Sequence, residues 1–378
     1  MSMITIVGAG PVGLHTAISL KKNGFDVSVI EEHREIGKPV QCAGLISKNG
    51  CKELGLNIEE ALVNEIKGAR LFSPSGVELS IRKKETIAFV VDRYKFDQAF
   101  YKKAVKENVP MQLNTKLIDI RKNSLFLESQ GHGELKKTDI IVGADGVSSI
   151  VRHVVAPEIP QENFVHAYQV RAKGIFNPEM VEVYFDESAK GLFAWIIPEN
   201  SSTARIGLAV PMNENPADNL KKFIEKKGLV LDILDKSSAM IPIGKPMQNL
   251  AFGNILLAGD AGFHTKATTG GGIILGLQAA NACSETIMEH IKNRKSLSDY
   301  NKKLSKINKE LAIHWKIRSY LNGLEKQKID DFFLKAKKAG IEEFLQEHGD
   351  MDNPSRFMGK MLRSPRLWGM LPELLKMV

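Results

Sequence analysis

A glycine-rich turn near the N-terminus constrains the fold of this chain more than any other stretch. It has the sequence Gly-Ala-Gly-Pro-Val-Gly over residues 8–13 and follows an apolar run at residues 4–7. The pattern predicts a strand over residues 4–7, a helix over residues 13–23 and a second strand over residues 26–30. Together these elements form a βαβ unit, the building block of many nucleotide-binding folds.

Each glycine of the turn has a steric role. Gly8 permits the tight turn, Gly10 lets the backbone approach a pyrophosphate, and Gly13 lets the helix pack closely on the strand. Pro11 and Val12 belong to the same turn, and the helix that follows offers free N–H groups and a positive dipole end, which favour a phosphate. We therefore expect these five residues to bind the phosphates of a cofactor.

Two acidic residues follow the second strand. Glu31 comes 18 residues after Gly13, and an acid at this position accepts hydrogen bonds from a ribose diol. Glu32 lies beside it and is assigned to the same site. The βαβ unit therefore predicts an adenine dinucleotide as the cofactor.

The composition is that of a globular protein with more than one domain. The chain has 378 residues, of which 43% are hydrophobic and 25% charged, so it is long enough for two or three cores. Its three cysteines (Cys42, Cys51 and Cys283) form no C-x-x-C pair, which indicates neither a disulfide framework nor a zinc site. No histidine spacing suggests a metal site. The first residues carry no basic stretch of the kind that begins a signal peptide, and no apolar run reaches the roughly 20 residues of a membrane span, so we expect a cytoplasmic protein.

The net charge of +8 is confined to the C-terminal part of the chain. Residues 290–378 contain 19 Lys and Arg against 11 Asp and Glu, and the remainder is neutral overall. Such a surface could meet an acidic electron carrier or anionic lipid headgroups, or it could simply be solvated; we expect no nucleic acid partner. Basic residues also surround Leu367, Trp368 and Leu371 in the final stretch. This composition predicts a peripheral contact with an anionic membrane, unless these apolar side chains pack back on the protein.

Two segments after the βαβ unit offer further contacts to the cofactor. The loop at residues 35–47 is rich in glycine and small residues, so it can lie close to a flat ring and bring Cys42 and Ala43 to it. The alternative is that Cys42 is a buried structural cysteine. A helix is predicted to run from Arg93 to about residue 107, and Arg93 in its first turn could reach a phosphate or a ribose.

Two buried strands each run into a turn that contains Gly and Asp. The first turn, at residues 143–146, presents Asp145 and Gly146, and the second, at residues 259–262, presents Asp260. Because the same arrangement occurs twice, we interpret both turns as parts of one cofactor site. Polar contacts from both aspartates to the cofactor are predicted.

Three consecutive glycines precede a long amphipathic helix. Gly270, Gly271 and Gly272 are followed by Ile273, where the helix is predicted to begin. The exposed N–H groups of such a turn could stabilise the negative charge that a reduced flavin carries on its pyrimidine side. The cofactor is therefore predicted to be FAD.

These motifs, in this order and spacing, resemble the FAD-binding fold of the p-hydroxybenzoate hydroxylase type over roughly residues 1–300. Two further stretches resemble the geranylgeranyl reductase family, which includes archaeal enzymes that saturate the isoprenoid chains of membrane lipids. They are Pro-Val-Gln-Cys-Ala-Gly at residues 39–44 and Gly-Leu-Phe-Ala-Trp-Ile-Ile-Pro at residues 191–198. Flavin halogenases carry a signature similar to the second stretch, with Trp at the position of Phe193.

The resemblance implies roles for particular residues. Arg93 and Asp260 would bind FAD, the glycine turn at residues 270–272 would lie along the isoalloxazine ring, and Cys42 would lie near that ring. In this family an aromatic-x-Trp-x-aromatic-Pro signature lines the substrate cavity, which assigns Phe193, Trp195 and Pro198 to substrate binding. Ile197 occupies a position where the family often has an aromatic residue. This difference concerns the chain length or identity of the substrate more than the class of reaction.

The predicted fold class is α/β, with a Rossmann-type FAD-binding domain around a parallel sheet, a second and mostly antiparallel β substrate domain, and a helical C-terminal region. Strands at residues 69–72, 78–81 and 86–91 are expected to join a second sheet, as are alternating apolar runs within residues 156–245. The predicted domains are residues 1–64, 92–155 and 246–296 for FAD, residues 65–91 and 156–245 for the substrate, and residues 297–378 for the helical region.

Three classes of function fit these features. The first is an FAD-dependent reductase of C=C bonds in a geranylgeranyl chain of a membrane lipid precursor, with Cys42, or a water molecule that it holds, as the proton donor. The second is an aromatic hydroxylase, which shares the fold, and the third is an FAD-bound lipid carrier without catalysis. The sequence contains no second G-x-G-x-x-G unit between a strand and a helix, so we expect no dedicated nicotinamide domain. A transiently docking NAD(P)H and an acidic ferredoxin both stay open as electron donors.

Overall fold

The computed structural model describes residues 2–377 of the chain. Its strands are β1 (Met3–Val7), β2 (Asp26–Ile30), β3 (Leu45–Ser47), β4 (Leu62–Ile66), β5 (Gly68–Phe72), β6 (Glu78–Arg82), β7 (Ala88–Val91), β8 (Met111–Gln112), β9 (Thr115–Arg121), β10 (Ser124–Ser129), β11 (His132–Lys137), β12 (Ile140–Gly143), β13 (Phe164–Lys173), β14 (Met180–Tyr184), β15 (Ala194–Pro198), β16 (Thr203–Pro211), β17 (Asp232–Pro242), β18 (Ala251–Phe252) and β19 (Ile255–Leu257). Its α-helices are α1 (Pro11–Lys22), α2 (Lys48–Glu53), α3 (Arg93–Lys106), α4 (Ile150–Val155), α5 (Pro216–Lys226), α6 (Ile273–Asn293), α7 (Asp299–Lys303), α8 (Ser305–Asn322), α9 (Lys326–Lys338), α10 (Ile341–His348), α11 (Ser355–Arg363) and α12 (Leu371–Met377).

The first sheet has six strands in the order β18-β19-β12-β1-β2-β8, and its central pairs are parallel. The strands β1 and β12 are buried apolar runs, as expected for a parallel sheet covered on both faces. The chain leaves β1 toward β2 on one side, while β12 pairs with β1 on the other. A crevice therefore opens at the carboxyl ends of β1 and β12, where ligands bind in folds of this kind.

The second sheet has seven strands in the order β17-β13-β16-β15-β14-β5-β6. All its neighbouring pairs are antiparallel except β14 with β5. Side chains alternate between its two faces. Ala194 and Ile196 of β15 pack on the face covered by Leu220 and Phe223 of α5, which leaves the opposite face to Trp195 and its neighbours.

The third of the three strands predicted near residues 65–91 does not join this second sheet. The strand β7 pairs instead with β3 and β4 in a small antiparallel sheet. The register places Leu45 opposite Val90, so the loop that follows the βαβ unit is fixed against β7. The predicted assignment of this strand to the larger sheet is therefore wrong, whereas β5 and β6 do belong to it.

The C-terminal region is helical, as predicted, but it is not continuous. Residues 349–354 interrupt it between α10 and α11, and Pro365–Met370 forms a 3-10 helix. Leu367 is only 1% exposed and packs with Phe333 and Leu79. Leu367 therefore packs back on the protein, which was the alternative to a membrane contact, because it completes the core between the helices and the second sheet. Val378 lies outside the described residues. Within those residues, no helix is long and apolar enough to cross a membrane.

Candidate active site

The glycine turn has the geometry that its sequence predicts. Gly8 has φ +100°, and a Cβ there would lie 2.3 Å from the carbonyl oxygen of Ala144. A Cβ on Gly13 would lie 2.0 Å from the carbonyl oxygen of Gly8, whereas one on Gly10 would meet nothing within 4 Å. Gly8 and Gly13 are thus required by the protein itself, and Gly10 borders open space.

The helix α1 begins at Pro11, two residues before the predicted start. Proline suits the first turn of a helix because its missing N–H would have no partner there. No side chain caps this N-terminus, since Gly10 is the N-cap residue. The free N–H groups therefore point toward the open space beside Gly10, which suits a phosphate group.

Glu31 and Glu32 lie at the carboxyl end of β2, beside the turn. The Glu31 carboxylate accepts hydrogen bonds from the backbone N–H of Ala9 at 2.7 Å and of His33 at 2.9 Å. Glu32 is exposed. The contact with Ala9 fixes the Glu31 carboxylate against the glycine turn, at the end of the site where a ribose would follow the pyrophosphate.

A cavity of about 680 Å³ lies between the crevice of the first sheet and the open face of the second. Its lining brings together most of the predicted site residues, namely Gly10, Pro11, Val12, Cys42, Ala43, Arg93, Gly146, Phe193, Trp195, Asp260, Gly270, Gly271, Gly272 and Ile273. Residues from the N-terminal βαβ unit and residues from the segment 190–275, which are far apart in the sequence, thus line the same cavity. Gly8, Gly13, Glu31 and Glu32 support or flank this site without lining the cavity.

Arg93 and Cys42 are neighbours in this cavity. The Arg93 guanidinium donates two hydrogen bonds of 3.1 Å to the Asp97 carboxylate and lies beside the Cys42 sulfur. Burial would lower the pKa of Arg93, but the negative charges that Cys42 and Asp97 can carry outweigh it and raise this pKa above its ordinary value. Cys42 is half-buried, and its sulfur accepts a hydrogen bond of 3.3 Å from the N–H of Gly44.

Asp260 faces the glycine turn that precedes α6. Its carboxylate accepts a hydrogen bond of 2.9 Å from Thr265, and a Cβ on Gly272 would lie 2.8 Å from it. Burial raises the pKa of Asp260, although the Thr265 hydroxyl opposes this shift. Gly272 is the N-cap of α6 and offers no capping side chain. The N-terminal N–H groups of α6 are therefore free to interact with a ligand in the cavity.

Two further predicted site residues, Asp145 and Pro198, do not line the cavity. The Asp145 carboxylate accepts hydrogen bonds from Ser149 Oγ at 2.5 Å and from Val151 N–H at 3.2 Å, so it stabilises the start of α4. Pro198 shares the strand face of Ala194 and Ile196, which is opposite to that of Trp195. Its carbonyl oxygen accepts a hydrogen bond of 2.9 Å from Asn64.

His264 lies close to Asp260 in the sequence but not in the cavity lining. Its side chain is fully buried, and its Nδ1 contacts the carbonyl oxygen of Gly259 at 3.2 Å. Burial lowers the pKa of His264 to about 4. The imidazole is therefore neutral at ordinary pH and belongs to the core behind the glycine turn.

Sequence reasoning missed a buried ion pair at the cavity wall. Lys266 Nζ lies 2.5 Å from Asp352 Oδ1, and both side chains are almost fully buried. Ser47 donates a hydrogen bond to the same carboxylate, and the backbone carbonyl of Asp352 contacts His314 Nε2 at 3.4 Å. The only local sign of this pair in the sequence was a lysine within the stretch of small residues between Asp260 and Gly270. The partner could not be identified from the sequence, because Asp352 is 86 residues away.

The fold and the site define a class of protein. The open space at Gly10, the uncapped N-termini of α1 and α6 and the cavity between them fit a bound dinucleotide with a planar ring. A family model described as an FAD binding domain matches residues 1–312. The chain therefore belongs to the FAD-binding flavoproteins, and it is an FAD-dependent oxidoreductase, which confirms the predicted fold class and cofactor.

Similarity to individual proteins narrows this class. The chain is 31% identical to a digeranylgeranylglycerophospholipid reductase of Methanocaldococcus jannaschii, over 86% of this chain and 88% of that protein. Its fold matches a geranylgeranyl bacteriochlorophyll reductase-like protein of Thermoplasma acidophilum with a TM-score of 0.85 and 19% identity, over 100% and 99% of the two chains. A p-nitrophenol 4-monooxygenase of Pseudomonas putida shares the fold with a TM-score of 0.71 and 16% identity, over 89% and 94%. The chain belongs to the geranylgeranyl reductase family.

Proposed function

We propose that this enzyme saturates C=C bonds in the geranylgeranyl chain of a membrane lipid precursor. The observation that carries the proposal is the cavity, which continues from the glycine turns at residues 8–13 and 270–272 to an apolar sheet face. That face includes Trp195, Val183 and Leu71. A long hydrocarbon chain could bury its surface there while one double bond lies beside the cofactor.

The cavity residues suit the reduction of an isolated alkene. Bound FAD, once reduced, supplies a hydride. An unpolarised double bond that accepts a hydride at one carbon must gain a proton at the other, and cationic character develops between them. The rings of Phe193 and Trp195 meet edge to face at 6.1 Å between their centroids. Their π faces could stabilise this cationic character, and the apolar lining excludes water that would compete for it.

Cys42 is the proposed proton donor for this step. It is the thiol that lines the cavity on the cofactor side, and the guanidinium of Arg93 beside it would stabilise the thiolate left behind. Asp97 in turn orients Arg93 through two hydrogen bonds. The proton thus leaves the sulfur for the second carbon while the charge that remains is held by a fixed cation.

A test of the reaction class uses the FAD-loaded enzyme without oxygen. With dithionite as the reductant, we expect the enzyme to add two hydrogen atoms to a geranylgeranyl lipid for each double bond that it reduces. Mass spectrometry measures this gain. An aromatic hydroxylase of the same fold needs oxygen and would leave the lipid unchanged. An unchanged lipid, with the flavin shown to be reduced, would contradict the proposed function.

Replacement of Cys42 by alanine tests the proton donor. We expect Cys42→Ala to bind FAD normally and to lose at least about 100-fold in the rate of alkene reduction, the usual worth of general acid catalysis. The matched control is Cys51→Ala, because Cys51 is buried away from the cavity. Reduction by Cys42→Ala at the wild-type rate would show that the proton comes from another group.

The electron donor and the membrane contact are further parts of this proposal. The basic charge of residues 290–378 favours an acidic ferredoxin over NAD(P)H, because opposite charges steer association. Stopped-flow reduction of the bound flavin by each donor distinguishes them: faster reduction by ferredoxin that slows with salt is expected, and salt-independent reduction by NAD(P)H would contradict it. The exposed side chains of Lys360, Arg363, Arg366 and Trp368 support peripheral association with anionic lipid.

A further inference from the structure

The Lys266 side chain lies against the glycine turn on the cofactor side of the cavity. The N–H of Lys266 donates a hydrogen bond of 3.1 Å to the carbonyl oxygen of Gly271, and its carbonyl oxygen accepts one of 2.8 Å from the N–H of Gly270. A Cβ on Gly271 would lie 3.5 Å from Lys266 Nζ. The ammonium group is therefore held beside the backbone that is assigned to the isoalloxazine ring.

The cavity meets the positive end of the Lys266–Asp352 pair. Lys266 lines the cavity, whereas Asp352 does not. The Asp352 carboxylate lies behind the wall, 2.5 Å from Lys266 Nζ, and accepts a further hydrogen bond from Ser47. A group bound at the glycine turn would therefore be closer to the ammonium than to its countercharge, so the positive charge is only partly offset there.

Lys266 is the cation that the lining provides at this turn. Among the described residues that line the cavity, the cationic side chains are Arg93 and Lys266, and the Arg93 guanidinium is bound to Asp97. Asp260 also adjoins the turn, but burial raises its pKa and so opposes a negative charge at that position. The N–H groups at the start of α6 add to the positive potential.

Reduction changes the charge that the turn would face. An oxidised flavin ring is neutral, and a flavin that has gained two electrons and one proton carries a negative charge on its pyrimidine side. A fixed cation beside the ring stabilises the charged form more than the neutral form. The difference between these two stabilities appears as a shift in the reduction potential of the bound cofactor.

We propose that the Lys266 ammonium raises the reduction potential of the bound FAD and that Asp352 limits this effect. Lys266 acts through its charge, so it neither forms a bond nor gives up a proton in the reaction. Asp352 is a positioning residue, because it holds the ammonium at the cavity wall. The inference concerns the cofactor and does not depend on the identity of the substrate.

The midpoint potential of the FAD-loaded enzyme tests this role. Anaerobic titration against a reference dye at fixed pH gives the preference of the protein for reduced over oxidised FAD. The double variant Lys266→Met with Asp352→Leu removes the pair and leaves no buried charge. We expect it to lose about tenfold of this preference, the lower end of the effect of one nearby charge, which lowers a two-electron potential by about 30 mV. Its affinity for oxidised FAD should change by less than about twofold, because the oxidised ring is neutral.

Asp352→Asn tests the sign of the effect. This variant leaves the ammonium without its countercharge, so we expect the potential to rise, by about 15 mV for a threefold gain in preference. Opposite shifts in the two variants distinguish an electrostatic role from general damage to the site. Lys266→Arg keeps the positive charge and should stay closer to the wild-type potential than the double variant does. It decides the question if Asp352→Asn does not fold.

A second ion pair with a buried aspartate provides the matched control. Lys226 Nζ lies 2.7 Å from Asp186 Oδ2, and neither residue lines the cavity. Lys226 belongs to α5, which covers the opposite face of the second sheet. The double variant Lys226→Met with Asp186→Leu should keep the wild-type potential.

An unchanged potential in the Lys266→Met double variant would overturn the proposal. The same conclusion follows if this variant and Asp352→Asn shift the potential in the same direction. It also follows if the affinity for oxidised FAD falls about tenfold while the potential stays constant, because the ammonium would then serve the cofactor phosphates. The expected shifts in an enzyme that leaves the geranylgeranyl lipid unchanged would contradict only the proposed function.

Discussion

Gly8 and Gly10 belong to one motif, but the structure separates their roles. Gly8 has a positive φ and no room for a Cβ, whereas Gly10 has φ −68° and open space above it. We expect Gly8→Ala to lower the free energy of unfolding of the apoprotein by more than about 2 kcal/mol. Gly10→Ala should leave it within about 0.5 kcal/mol of wild type but weaken FAD binding at least about tenfold, because the methyl group occupies pyrophosphate space.

Urea unfolding of the apoproteins and titration with FAD measure these two effects. The two variants control each other, because they place the same methyl group two residues apart. Normal FAD affinity in Gly10→Ala would show that the pyrophosphate does not approach this residue.

Two buried histidines predict a loss of stability in acid. Burial lowers the pKa of His264 and that of His314 from 6.5 to about 4. Between about pH 6.5 and about pH 4 the two histidines are protonated in the unfolded chain but not in the folded protein. The free energy of unfolding therefore keeps its full value above about pH 6.5 and falls as the pH is lowered toward about 4. Each shift corresponds to at most about 3 kcal/mol. Urea unfolding at about pH 7 and about pH 4.5 measures the loss.

Variants test whether these histidines cause the loss. His264→Gln and His314→Gln should each lower stability at neutral pH but reduce its dependence on pH. His153→Gln is the control, because His153 is exposed. A double variant of His264 and His314 with unchanged pH dependence would show that other groups control the acid response.

At the scale of elements, the break between α10 and α11 is held in place by the Lys266–Asp352 ion pair. Asp352 belongs to this break, and Lys266 precedes the glycine turn at the cavity. Burial alone would raise the pKa of Asp352, but Lys266 and Ser47 outweigh it and hold that pKa below its ordinary value. The pair therefore couples the C-terminal region to the wall of the cofactor site.

Removal of one charge from this pair should lower the free energy of unfolding more than removal of both charges. Asp352→Asn leaves the Lys266 ammonium buried without its countercharge, and we expect it to lower the free energy of unfolding by about 3–5 kcal/mol. The double variant Lys266→Met with Asp352→Leu buries no charge and should recover most of this loss. Urea unfolding measures both values. A double variant as unstable as Asp352→Asn would contradict this interpretation of the pair.

At the scale of the whole molecule, the C-terminal surface predicts binding to anionic membranes. Trp368 is 56% exposed, and Arg366 and Arg363 beside it are also exposed. Each such cation contributes about 1 kcal/mol near an anionic surface. We expect the protein to sediment with phosphatidylglycerol vesicles at low salt and less so at high salt. The double variant Trp368→Ala with Arg366→Gln should weaken this binding and leave FAD binding intact.

A variant elsewhere on the surface controls for nonspecific attraction. Leu135 and Lys137 are an exposed apolar residue and an exposed cation on β11, so Leu135→Ala with Lys137→Gln removes the same types of side chain. Equal binding by wild type and the Trp368 variant, or no sedimentation at low salt, would contradict the membrane contact. Deletion of residues 356–378 is a poorer test, because Leu367 and Met370 belong to a core cluster.

The sequence by itself determined the cofactor fold, the class of protein and a set of site residues, most of which line the cavity. These features depend on local rules: the steric demand of Gly8, the period of side chains along a strand or helix, and the N–H groups that remain free at a helix start. Each rule involves residues close together in the chain.

Only the tertiary structure decided the contacts between distant segments. The pairing of β7 with β3, the turning of Pro198 away from the cavity, the burial of Leu367 and the Lys266–Asp352 pair all depend on which strands and helices become neighbours. Residue identity does not encode that choice locally, because any apolar strand face can pair with several others. Strand pairing and packing of the whole chain select one arrangement, and the site acquires its polar details from that selection.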